Sequence, residues 1–279
     1  MARRLLEEAA TCRMGTSPQG GPRANRHIDM SYGLYISAEG AQAQSQRLDV
    51  ISNNLANVDT VGFKRDLAMF QARNAEAIDQ GKAIAGSGSI DNIGGGVTFK
   101  GSRTDYSPGP LKATGNPSDV AMRRPGFFQV RDGKETYLTR AGNFTMTARG
   151  ELVTQDGLPV LSESGSPITL ENPQMPWEIT AAGDLRQGSN TQRLAIVKPA
   201  SMGDLVKVGG NKFRALADIS PVAATDRDVA SGHLEMSGVE PTSEMVEMIQ
   251  TSRYLEANLN MMQTQDRMLN ELFSQFLKA

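Results

Sequence analysis

The sequence predicts a mostly β protein with terminal α-helices: a central antiparallel β domain flanked by an N-terminal and a C-terminal helix. Three observations predict it. Apolar residues recur seven apart from Leu34, short strand-like runs alternate with turn formers through the middle, and Thr242 to Ala279 contains neither Gly nor Pro. Helix and strand impose different side-chain periods, so these regions separate by pattern alone.

Residues 1–29 stand apart by composition. Five arginines give way to a Gly/Pro/Ser/Asn stretch with no hydrophobic period and no apolar core of a secretory signal. This segment reads as a disordered arm or translated upstream sequence, with Met30 as the working start.

Residues 30–66 read as a helix and its exit. Leu34, Ala41, Leu48 and Leu55 mark one heptad position, with Ala38, Ser45 and Ser52 between them and Ile51 widening the stripe. Such a seam of small residues permits close helix approach. The helix leaves through "SNNLANVDTVGFKRD", where Asn53, Asn54 and Asn57 precede Gly62. Asparagine tolerates left-handed backbone and bonds local main-chain groups, and Gly62 adds a second permissive position.

Residues 67–96 read as a glycine-rich linker, in which "LAMFQARNAEAI" could continue as a short helix. No Gly-Lys-Ser/Thr follows its glycines, so it is no phosphate cradle. Residues 97–236 carry runs such as "VTFK", "FFQV", "TYLT", "ELVT", "RLAIV" and "KFRAL", split by Asp132-Gly133, Arg149-Gly150, Asp156-Gly157 and Gly183-Asp184. That punctuation predicts a meander, sandwich or partial barrel, with no helical crossover for a parallel sheet.

Residues 237–279 return to helix. Met245, Ser252, Leu259, Asp266 and Phe273 hold one heptad position, and Met248, Leu255, Met262, Leu269 and Phe276 the other. Pro241 sits at the start, where a first-turn proline is tolerated. Either terminal stripe alone would leave apolar surface in water, so the two helices are expected to pack on each other or on neighbouring copies.

The chemical inventory is thin. Net charge is −2 and aromatics are 5%, which gives no support to a nucleic-acid groove. Cys12 is the only cysteine, and the histidines are His27 and His233. These form no zinc set, and a Cys/His nucleophile would sit half in the arm. The methionines of the last helix (Met245, Met248, Met261, Met262, Met268) suit adaptable helix packing better than ligation. Arg123-Arg124 and Lys64-Arg65 are read as solvated or partner-facing cations. No cofactor, metal or small-molecule substrate is expected.

"AQSQRLDVISNNLANVDTVGFKRD" closely resembles the N-terminal signature of the bacterial flagellar rod and hook family, through Asn53, Asn54, Leu55, Ala56, Asn57, Thr60, Gly62, Phe63 and Lys64. "GPLKATGNPSDVAMRRPGFFQV" and "YLTRAGNFTM" are similar to the family's shared β domain, and "GHLEMSGVEPTSEM" to the lead into its last helix. Gly238 stands where that lead usually has Asn, and Arg123-Arg124 where a tight glycine turn is common. The resemblance covers Met30 to Ala279.

The resemblance implies a structural axial subunit of the flagellar basal-body rod, its terminal helices packing in a coiled-coil-like inner tube. The chain is short for a hook protein; a single β domain favours the proximal rod, while "YLEAN" and "DRML" are similar to the distal rod protein. Implied partners are other copies, neighbouring axial proteins and the flagellar export apparatus, with export free of a cleaved signal and a periplasmic location. On this reading the asparagine-rich corner is a structural joint. A hook-type axial protein, a cell-wall-acting enzyme using the β domain, and a coiled-coil scaffold unrelated to motility are the alternatives.

Overall fold

The computed structural model describes residues 32–74, 78, 94–172 and 175–277. The expectations for the arm, for Met30 and for most of the glycine-rich stretch lie outside these residues. Two long helices bracket the described chain, α1 (Tyr32–Ala56) and α2 (Pro241–Phe276). They pack antiparallel on one another: Gly33 lies beside Gln265, Gly40 beside Asn258, and Asn54 beside Glu244. Pro241 occupies the first turn of α2, where its missing N–H costs no helical bond. Among the described residues no helix is long and apolar enough to cross a membrane.

After α1 the chain forms β1 (Asp66–Ala72), which pairs antiparallel with β2 (Val97–Thr104). The short helix allowed for "LAMFQARNAEAI" is therefore a strand over its first half. Phe70 faces Phe99 across the ribbon with ring centroids 5.7 Å apart, a cross-strand aromatic pair of the kind that stabilises sheets. The ribbon packs against α1. The strand beginning at Val97 thus pairs with β1 and lies against α1.

The chain then forms β3 (Leu111–Ala113), β4 (Val120–Met122), β5 (Phe127–Asp132), β6 (Glu135–Thr139), β7 (Thr145–Met146) and β8 (Leu152–Val153). It continues with β9 (Glu178–Ile179), β10 (Asp184–Gln187), β11 (Asn190–Arg193), β12 (Ile196–Pro199), β13 (Leu205–Gly209) and β14 (Lys212–Ala215). The last three strands are β15 (Ile219–Pro221), β16 (Val229–Ser231) and β17 (His233–Glu235). Every pairing is antiparallel, and the largest sheet has the order β13-β14-β6-β5-β12-β15.

Side-chain alternation gives this sheet two apolar faces. Phe128, Val130 and Ile196 face the larger core, with Phe144, Leu152, Ile168 and Leu185. Phe127, Leu138, Val197 and Phe213 point the other way. Tyr106, just after β2, packs edge-on against Phe127 and Phe213 at 6.1 and 5.6 Å. The second face thereby anchors the chain that arrives from the helices.

Candidate functional site

The corner after α1 is built by side chains. Asn57 donates from Nδ2 to the Asn53 carbonyl at 2.8 Å, closing the last turn of α1, and its Oδ1 accepts from Thr60 Oγ1 at 3.2 Å. Asn54 is buried and pairs with the main chain of Asp66 in both directions, Nδ2 to O and N to Oδ1, each at 2.9 Å. Its Nδ2 also reaches Glu244 Oε2 at 3.4 Å. Asn53 is exposed.

Left-handed backbone plays no part at these asparagines. Among the described residues Asn211 is the one non-glycine with positive φ, and its Nδ2 donates to the Val61 carbonyl at 2.6 Å. Gly62 does take φ +68°, and a Cβ there would lie 2.6 Å from the Ala141 nitrogen. The expectation therefore holds for Gly62, while the asparagines act through their amides.

Lys64 and Arg65 point opposite ways, as neighbours in extended chain must. Lys64 Nζ lies 2.6 Å from Glu235 Oε1, and both side chains are 1% exposed. It also donates to the Ser107 carbonyl at 2.8 Å. Arg140 Nη1 stands 3.5 Å from Glu235 Oε2. Burial pushes the Lys64 ammonium and the Arg140 guanidinium below their ordinary values, while Glu235 pulls both up. Arg65 turns to α2, with Nε 2.7 Å from Glu244 Oε1 and Nη2 3.5 Å from Glu247 Oε1. Lys64-Arg65 is thus an internal pair, which corrects the solvated reading. Arg123 and Arg124 are exposed and pair loosely with Asp228 and Asp226.

The helix seam differs from the expected one. On α1, Ala41 and Ile51 are buried and Leu34, Leu48 and Leu55 half-buried, but Ser45 and Ser52 are exposed. On α2 the expected stripe splits. Met248, Leu255, Met262 and Leu269 are half-buried, whereas Met245 is 53% exposed, Leu259 43%, Phe273 65% and Phe276 80%. The two buried positions of α2 are Glu244 and Thr251, and Asn258 and Gln265, on the same heptad row, are half-buried. This polar heptad row was missed. Its signal was the matching spacing of Gly33 and Gly40, where an added Cβ would lie 2.7 Å from Gln265 Nε2 and 3.2 Å from Asn258 Nδ2.

α2 therefore has an inner side occupied by α1 and exposed apolar residues that no other described residue covers. Among the described residues no cluster of His, Cys, Asp and Glu could hold a metal.

Three family models match in register with this architecture. The model for flagella basal body rod protein matches residues 34–64, over α1 and the corner. The flagellar hook protein FlgE/F/G D1 domain matches 121–187, and the flagellar basal body rod FlgEFG protein C-terminal model matches 230–274. Flagellar basal-body rod protein FlgF of Caulobacter vibrioides is 32% identical over 235 residues, covering 84% of this chain and 93% of its own. The chain belongs to the flagellar basal-body rod protein family. Rod protein FlgG of Bacillus subtilis is 33% identical over 255 residues, at 86% and 97% coverage. FlgG of Buchnera aphidicola subsp. Schizaphis graminum is 34% identical over 258 residues, at the same coverage. Membership makes the chain a structural rod subunit. Asn54, Asn57, Gly62 and Lys64 lie inside the first matched segment, and Glu235 and Glu244 inside the last.

Proposed function

We propose that the chain assembles into the flagellar rod as a non-catalytic axial subunit, through the outer face of α2. The carrying observation is the exposure of large apolar side chains along α2: Met245, Leu259 and Phe273 on one heptad row broken by Ser252 and Asp266, Ile249 beside its start, and Leu272 and Phe276 at its C-terminal end. So many large apolar side chains exposed along one helix fit an interaction site. Repetition of one chain by a head-to-tail contact that does not close gives a helical assembly, so other copies and neighbouring axial proteins are the partners that fit.

The interaction residues expected from the sequence then divide by task. Leu34, Ala41, Leu48, Leu55, Met248, Leu255, Met262 and Leu269 hold the helical pair together. Met245, Leu259, Phe273 and Phe276 meet neighbours, while Asn54, Asn57 and Gly62 set the exit of α1. Passage through the flagellar export apparatus and a periplasmic position in the rod belong to the same reading and rest on family membership. A strain lacking the chain should be non-motile and regain swimming on complementation, with the chain recovered by mass spectrometry in purified basal bodies. Normal swimming without it, or its absence from basal bodies, would refute the assignment.

A further inference from the structure

The chain passes between the helical side of the molecule and the β domain twice, once after β2 at residues 105–110 and once after β17 at residues 236–240. Both passages are bonded to each other and to the corner. Met236 N donates to the Pro110 carbonyl at 2.9 Å, and Gly238 N to the Phe63 carbonyl at 3.0 Å. Asp105 N donates to the Arg65 carbonyl at 2.8 Å. A Cβ on Gly109 would overlap the carbonyl oxygen of Met236, so the passages run in contact.

One side chain reaches all of these parts. Glu235 Oε1 accepts from Lys64 Nζ of the corner at 2.6 Å and from Gly109 N of the first passage at 3.0 Å. Its Oε2 faces Arg140 of the β domain at 3.5 Å. Its own carbonyl accepts from Gly62 N at 2.7 Å, at the brink of the second passage.

We propose that Glu235 is the positioning residue of this joint, a single buried carboxylate that holds the helical pair and the β domain at one fixed angle. Two adjacent chain passages alone form a hinge, because they leave rotation about their common line free. The Lys64–Glu235–Arg140 array opposes that rotation by tying the corner to the β domain in the buried interior, beside the more peripheral Asn211–Val61 and Lys207–Asp66 contacts. Arg65, through Glu244, passes the constraint on to α2. In an assembly repeated through the helices, this angle decides where each β domain stands. That consequence rests on the rod reading, whereas the fixed angle itself belongs to the isolated chain.

The test is the distance distribution between spin labels on α2 and the β domain of the full-length chain. Labels at Glu256→Cys and Lys134→Cys, both exposed, in a Cys12→Ser background report the angle by double electron–electron resonance. The parent should give one narrow distance. Glu235→Gln, nearly isosteric, should widen it about twofold or more, with far-UV circular dichroism and Trp177 emission unchanged. Lys64→Met should widen it at least as much, because Arg140 then holds Glu235 only within the β domain. Asp226→Asn, which touches only an exposed pair with Arg124, should leave it as in the parent. An unchanged width in Glu235→Gln and Lys64→Met overturns the proposal. Loss of helicity or of the Trp177 signature in both also overturns it, since the residues would then serve stability and not angle.

Discussion

Asn54 and Asp66, twelve residues apart, meet as though paired in a sheet: the side-chain amide of Asn54 both donates to and accepts from the Asp66 main chain at 2.9 Å. An amide side chain is the one neutral group that can copy a peptide's donor and acceptor together. The loop between α1 and β1 is closed by that mimicry. Asn54→Ala leaves a part-buried N–H and C=O of Asp66 without these partners and is expected to cost about 2 kcal/mol. Asn57→Ala, at a partly exposed turn, should cost only about 1 kcal/mol. Asn54→Asp should behave like the alanine variant or worse, since it faces the Asp66 carbonyl and Glu244 without a donor. Urea denaturation followed by circular dichroism orders the three.

Gly62→Ala meets two obstacles. Left-handed backbone costs a residue with a Cβ about 1–2 kcal/mol, and the new methyl would press into the main chain of Arg140 and Ala141. The sum is expected at about 3 kcal/mol or more. Gly238→Asn, which installs the residue usual in the family, should be nearly neutral. An added Cβ there meets nothing nearer than the Phe63 carbonyl at 3.8 Å. Thermal melts of both variants beside the parent decide this.

Burial dominates at Lys64 and holds its ammonium below the ordinary value of 10.5, against the pull of Glu235. Between the lowered folded value and 10.5 the unfolded chain therefore binds more protons than the folded one. Stability from this group rises with pH through that window. The difference in unfolding free energy between the parent and Lys64→Met should shift in the parent's favour from about pH 7 to about pH 10. A shift toward the variant, in urea titrations at both pH values, would mean that the ion pair and not burial governs this lysine.

The helices and the antiparallel domain were legible because their signals are local: heptads without Gly or Pro for α2, and turn formers at short spacing for the sheet. Where burial is shared, the local signal failed. "LAMFQA" has apolar residues at spacings that fit helix or strand, and only Phe99, 29 residues on, decides for the ribbon. Hydrophobic period found one inner row of α2, through Met248, Leu255, Met262 and Leu269, but chose an exposed row for the other. Glu244, Thr251, Asn258 and Gln265 face inward because Gly33 and Gly40 leave room for them, a pairing between chain ends. The partner of Lys64 lies 171 residues away, and nothing local to either residue marks it. The corner's asparagines, by contrast, stood out at once, although their work is done by side chains and not by backbone conformation.

In the proposed assembly α2 presents one side to α1 and another to neighbouring subunits. Incorporation into basal bodies, compared with monomer helicity, for Leu255→Asp, Leu259→Asp and Thr264→Asp tests it most directly. Leu255 is half-buried in the helical pair, so aspartate there should lower helicity and cost about 2–4 kcal/mol. Thr264 is exposed and off the Leu259 row and should be nearly silent. Leu259→Asp is the decisive variant: parental helicity in the monomer, with incorporation and swimming lost. A Leu259→Asp chain that enters basal bodies and supports swimming like the parent would contradict the account.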